Sequence, residues 1–175
     1  MYIYMNLLEE VNRPLSNFDI LDKMDNKTNI MSYSDLQQFN NINDILGNYK
    51  KCVILYQTSA DFGHWCCIYE IDNTIYFFDS YGIIPDNQIN FVPTELKKEL
   101  YEDHRHLTKL LYNSNKNIEY NQYQLQNKNI NINTCGRWCI IRLLYPKISI
   151  DNFNKIFNKF NDLIKKDELI TLLTL

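Results

Sequence analysis

His64, Asp79 and Cys135 are, in chain order, an imidazole, a carboxylate and a thiol, the groups that together cleave acyl bonds by nucleophilic attack. Cysteine attacks as the thiolate, so it needs a cationic partner or the positive end of a helix beside it. Cys135 stands in Asn133-Thr134-Cys135-Gly136-Arg137-Trp138, at the expected start of a helix whose unpaired N–H groups favour the thiolate. Gly136 removes side-chain bulk next to the sulfur, and the Cys135 N–H is suited to meet the oxygen of a tetrahedral intermediate. A second donor must come from a side-chain amide upstream. Gln126 is the first candidate, with Gln124 and Gln122 behind it.

Whether His64 and Asp79 meet depends on one hairpin. Residues 64–71 and 74–81 are strand-like runs rich in Trp, Ile, Tyr and Phe, joined by Asp72-Asn73, two residues that tolerate the positive φ of a tight turn. A two-residue turn there makes opposing residue numbers sum to 145, so His64 opposes Tyr81 and Asp79 opposes Cys66. His64, Cys66, Asp79 and Tyr81 then share one face of the sheet. His64 and Asp79 become diagonal neighbours, about 7 Å apart at the backbone, within reach of a carboxylate–imidazole contact. A one-residue slip would send one of them to the opposite face.

Gly63-His64-Trp65, Phe77-Phe78-Asp79-Ser80-Tyr81-Gly82, Leu125-Gln126 and Thr134-Cys135-Gly136 resemble the motifs of the adenain-like viral maturation proteases, relatives of the SUMO-specific Ulp1-type peptidases. More narrowly, the chain resembles the form of that family carried by virophages of the Sputnik type. Asn12-Arg13-Pro14-Leu15-Ser16-Asn17-Phe18-Asp19 is similar to the N-terminal segment of some viral members, so the likeness spans residues 12–145. The resemblance implies Cys135 as nucleophile, His64 as base or ion-pair partner, Asp79 as its orienter and Gln126 as oxyanion-hole donor. It implies an α+β fold of the adenain/Ulp1 cysteine-protease type, a central mixed sheet flanked by helices, with the nucleophile at a helix N-terminus. Gln126 precedes Cys135 by nine residues, a wider gap than is usual in the family, and the fifteen residues from His64 to Asp79 form a shorter one.

By the same resemblance the substrates are viral capsid or structural precursors, cut during virion maturation at glycine-containing sites, in the virion and the host cytoplasm. A peptide activator is an option that some relatives use. Two alternatives stand beside this reading: an isopeptidase for ubiquitin-like proteins, and a non-catalytic zinc or binding module. His64 with Cys66, Cys67, Cys135 and Cys139 supplies zinc-type ligands, yet no second CxxC-like half-site recurs, so no metal or cofactor is expected. Cys66 borders the cleft or packs in the core, while Cys52, Cys67 and Cys139 read as core. Trp65 is a core aromatic with a second role against His64. His104 and His106, in EDHRH, read as a solvated helix face, or with Lys97, Lys98 and Arg105 as a basic docking patch.

Five cysteines without a disulfide framework, in 175 residues, fit a reducing compartment. No apolar run approaches the roughly 18 residues of a membrane span, and the start MYIYMNLLEEVNRP lacks a secretory pattern. A net charge of −3 with 18 Lys and Arg argues against a general nucleic-acid coat and gives DNA binding no support beyond a local patch. About 24 asparagines, with many Ile, Lys and Tyr, reflect AT-rich coding. One domain over residues 1–175, working as a monomer, is the expectation.

The elements that position the chemistry follow from local patterns. Ser16 with Asp19 marks a helix start carrying Phe18, Ile20 and Leu21 inward. Ser34 with Gln37 marks another, continuing through Leu36, Phe39, Ile42, Ile45 and Leu46 to Gly47. Residues 51–57 read as a strand covered on both faces. Thr94 opens a helical stretch with Leu96, Leu100, Leu107, Leu110 and Leu111, and residues 118–126 look extended. Cys135 opens a buried helix ending at Pro146, with further helices after Asp151 and Lys166. Helices before and after a central sheet make an α+β domain.

Overall fold

The Asp72-Asn73 turn forms as its composition demands, with φ of 46° and 61° at the two residues, the left-handed pair of a type I′ hairpin. The computed structural model describes residues 2–59, 62–99 and 104–175. The turn joins β3 (Phe62–Ile71) to β4 (Thr74–Phe78), and the antiparallel register runs from Ile71 opposite Thr74 to Cys67 opposite Phe78. Every pair sums to 145, as the two-residue turn requires. The ladder stops at Phe78, so Asp79 and Tyr81 lie beyond it in the segment that leaves the sheet.

Five strands form one mixed sheet in the order β1 (Asn29–Ser32), β2 (Lys51–Ser59), β3, β4, β5 (Asn117–Tyr120). The two outer pairs are parallel and the two inner pairs antiparallel. Strand alternation divides the core in two. Val53, Trp65, Cys67, Tyr69 and Phe78 point to one layer with Trp138, Cys139 and Phe153, while Cys52, Ile54, Tyr56, Cys66, Ile68 and Phe77 point to the other with Tyr33, Leu36, Leu107 and Leu110. The adjacent Cys66 and Cys67 thus face opposite sides of the sheet.

The first layer is covered by α2 (Asn17–Lys23), α6 (Cys135–Leu144), α7 (Ile150–Phe160) and α8 (Lys166–Leu172), with α1 (Tyr2–Asn12) against α8. α3 (Ile42–Leu46) and α5 (His106–Asn113) cover the second, and α4 (Thr94–Glu99) contributes no buried residue. This is the α+β arrangement of a mixed sheet flanked by helices. Among the described residues no helix is long and apolar enough to cross a membrane.

Several elements depart from expectation. Ser16 and Asp19 do form a reciprocal capping box, Ser16 N donating to Asp19 Oδ2 at 2.8 Å and Asp19 N to Ser16 Oγ at 3.2 Å. Only Ile20 of the three named apolar residues is buried there; Phe18 is exposed, because the inward face of so short a helix is taken by Ile20 and Met24, four residues apart. The helix expected from Ser34 divides into a 3-10 segment, Tyr33–Gln38, and α3, whose N-cap is Asn41. Its start is Ser32, whose N–H donates to Asp35 Oδ2 at 3.0 Å. Pairing of Ser32 with Leu55 fixes where the chain leaves the sheet, two residues before the expected cap.

The stretch from Thr94 is likewise two helices, and Leu100 lies outside the described residues. The extended run at 118–126 shortens to β5 at 117–120 followed by a loop. His104 and His106 do not form a helix face. His106 opens α5, its N–H donating to the buried Tyr33 hydroxyl at 2.9 Å, and His104 precedes the helix.

Candidate active site

His64 and Cys135 reach one cleft from opposite layers. His64 pairs across the sheet with Tyr56, on the α5 side, whereas Cys135 packs in the α6 layer as the first residue of its helix. A cleft of about 360 Å³ holds both, together with Gln126, Tyr81 and Gln88. Of the four residues singled out in the sequence, His64, Gln126 and Cys135 line the cleft, and Asp79 lies buried behind His64. Gln122 and Gln124 stay exposed and outside this cleft; Gln126 is 1% exposed.

His64 Nε2 donates to Asp79 Oδ1 at 3.1 Å. Asp79 is fully buried, and four donors satisfy its carboxylate. Oδ1 also accepts from Tyr81 N at 2.7 Å, and Oδ2 accepts from Gln88 Nε2 at 2.5 Å and Cys66 Sγ at 3.5 Å. The Asp79 carbonyl accepts from Asn121 Nδ2 at 2.6 Å, tying the segment after β4 to the one after β5. A carboxylate so surrounded has little rotational freedom and holds the ring.

Electrostatics follow from these contacts. Burial opposes ionisation of Asp79, yet the charge and hydrogen bond of His64, with the Gln88 and Tyr81 donors, hold its carboxyl below the usual range. Burial disfavours the His64 imidazolium too, but the Asp79 carboxylate and the hydrogen bonds to Asp79 and Cys135 outweigh it and raise its pKa well above the ordinary value. Nε2 is the ring nitrogen that faces Asp79, and His64 shares its cleft with Cys135. Burial, then the neighbouring Asp79 charge, push the Cys66 thiol well up, so it stays a proton donor.

Trp65 does not pack on His64. It points to the α6 layer, its Nε1 donating to the Leu15 carbonyl at 3.0 Å, and Tyr81 stacks on the imidazole instead, 4.7 Å between centroids and 15° between planes. Trp65, Ile20 and Leu15 converge on Gly136, where a Cβ would meet them at 3.2–3.3 Å; glycine lets α6 approach β3 this closely. Cys66 is core beneath the pair and does not line the cleft, and Cys52, Cys67 and Cys139 are fully buried.

Cys135 is 7% exposed, and the N-cap residue of α6, Thr134, makes no side-chain hydrogen bond to the helix's first turn. Gln126 is anchored from both sides: its Oε1 accepts from Ser80 Oγ at 2.7 Å, and its Nε2 donates to Tyr81 Oη and the Ile132 carbonyl, both at 3.1 Å. Gln88 is the residue that sequence reasoning missed. It sits in a 3-10 segment, Asn87–Phe91, with no strand or helix periodicity to mark its inward direction.

His64, Cys66 and Asp79 offer ligand atoms within 4.8 Å of one another, a donor set that would suit zinc. Each atom is already matched by a proton donor or acceptor within the protein.

No protein-family model matches the chain. Protein V9 of the Sputnik virophage, itself uncharacterised, is 38% identical over 164 residues, covering 92% of this chain and 94% of V9. Among solved structures, the ASFV protease superposes with a TM-score of 0.51 at 15% identity, covering 93% of this chain and 67% of that one. The C-terminal Ulp1 protease domain in complex with Smt3, the yeast SUMO orthologue, gives a TM-score of 0.42 at 15% identity, over 94% of this chain and 77% of that one. The chain belongs to the same family as virophage protein V9 and shares the fold of the ASFV protease.

Proposed function

We propose that this protein is a thiol endopeptidase that cleaves viral capsid or structural precursors during virion maturation, with Cys135 as nucleophile, His64 as base and acid, Asp79 as its orienter and Gln126 as oxyanion donor. The observation that carries the reading is the 3.1 Å His64–Asp79 pair, whose imidazole shares one cleft with Cys135, the first residue of a buried helix whose N-cap side chain leaves the first turn free. The Cys135 thiolate attacks the scissile carbonyl carbon, and the new oxyanion accepts hydrogen bonds from the Cys135 N–H and Gln126 Nε2. The substrate oxygen replaces the Tyr81 hydroxyl, which holds that amide in the resting site. Collapse breaks the C–N bond while the His64 imidazolium protonates the leaving amine. Water, deprotonated by His64, then attacks the thioester carbonyl, and C–S cleavage restores the thiolate and imidazolium.

Phe62, Tyr81, Ile83, Phe91 and Ile130 border the cleft, and bulky walls of this kind support a preference for glycine at the cut. Protein V9 supports a viral setting for the substrate. The test is incubation with virophage structural precursors, followed by sequencing of the new N-termini. Cleavage at glycine-containing sites, abolished by iodoacetamide, is expected; intact precursors alongside hydrolysis of ubiquitin-like conjugates would overturn the substrate assignment.

A further inference from the structure

Asp167 lies on α8, in the C-terminal region that carries no recognisable motif, yet its buried carboxylate touches both halves of the site. Oδ1 accepts from Thr134 Oγ1 at 2.6 Å and from Trp138 Nε1 at 3.1 Å. Oδ2 accepts from Asn127 N at 2.9 Å. Thr134 precedes the nucleophile, Trp138 lies one helical turn beyond it, and Asn127 follows Gln126.

Two consequences arise. Threonine at a helix N-cap ordinarily turns its hydroxyl onto the first-turn N–H groups. Here that hydroxyl donates to Asp167, and the α6 N-terminus keeps no side-chain cap, leaving its N–H groups to the thiolate and the oxyanion. The loop at 127–131 is exposed and overlies a cavity of about 730 Å³ lined by Leu8, Val11, Leu125, Ile132 and Asp167. The Asp167 bond to Asn127 N fixes where the loop departs from Gln126, and Gln126 Nε2 binds its far end at Ile132.

We propose that Asp167 is a positioning residue for the thiol-protease reaction, one oxygen keeping the α6 N-terminus open and the other fixing the Gln126 loop. The proposal rests on the roles given above to Cys135 and Gln126. Asp167→Asn separates the two tasks. Its remaining oxygen still accepts from Thr134 and Trp138, while its amide meets the Asn127 N–H donor to donor.

The experiment compares wild type and Asp167→Asn in fluorogenic peptide hydrolysis, in Cys135 alkylation by iodoacetamide and in thermal melting. Alkylation needs the thiolate but forms no oxyanion. The expected result is a kcat lower by about 10- to 100-fold, with KM and the alkylation rate within about twofold of wild type and the melting temperature retained. Unchanged kcat, or hydrolysis and alkylation falling together with the melting temperature, overturns the proposal. Should Asp167→Asn fail to fold, Asn127→Pro removes the loop donor while leaving Asp167 in place, and the same loss of kcat at constant alkylation is expected. A wild type inert to both peptide and iodoacetamide would count against the role of Cys135, which separates that failure from this one.

Discussion

His64 Nε2 and Asp79 Oδ1 lie 3.1 Å apart, although the strand ladder that aligns their hairpin ends at Phe78. Register brings the two near each other; the final contact depends on side chains that hold Asp79 after it leaves the sheet. Gln88, Tyr81 N and Cys66 supply the remaining bonds to its carboxylate.

Asp79→Asn removes the charge that raises the His64 pKa. Burial then acts with less opposition, and the imidazolium loses its proton at lower pH. Cleavage falls by about 10²- to 10⁴-fold, and the alkaline limb of the rate profile moves to lower pH. A pH–rate profile of kcat/KM for both proteins checks this.

Gln88→Leu leaves Asp79 Oδ2 without its shortest donor. Only the long Cys66 thiol bond then remains on that oxygen, and an under-satisfied buried acceptor costs about 1–3 kcal/mol, so the variant melts earlier and its activity drops by about tenfold. Urea unfolding combined with steady-state kinetics reads both effects. Gln88 acts through Asp79, so an unaltered rate would remove it from the positioning network.

The ion pair also ties stability to pH. The lowered Asp79 pKa contributes stability that is present above the unfolded value near ~3.9 and is lost as pH falls through the folded value. The raised His64 pKa contributes stability present below about 6.5 and lost as pH climbs through its folded value. Thermal melts of wild type and His64→Gln across this range will show a difference that is largest from about pH 4 to 6.5 and narrows in alkali.

Gly136→Val tests the close packing of α6 on β3. The added side chain meets Trp65, Ile20 and Leu15, and overpacking of this kind costs about 1–3 kcal/mol. Gly136→Ala stays nearer wild type, because improved helix propensity offsets part of the crowding. Chemical denaturation of the two variants distinguishes packing from propensity.

The hairpin was legible because Asp72-Asn73 encodes both turn type and register, and that register delivers Asp79, one residue past the ladder, to the side of the sheet where His64 and Cys66 lie. Cys135 was legible through the helix it opens. Gln88, the Tyr81 stack on His64 and the Asp167 bonds were not, since each runs through loops or short elements without periodicity. The expected cap at Ser34 failed for a related reason: pairing between β1 and β2, not local composition, decides that the chain turns at Ser32. Phe18 turned outward because two apolar positions, Ile20 and Met24, suffice for the buried face of α2.

The central claim is that Cys135 attacks the scissile bond, and a time course of precursor cleavage by wild type and Cys135→Ala tests it most directly. The account predicts cleavage by wild type and none by the variant at matched fold stability. Retained cleavage by Cys135→Ala would contradict it.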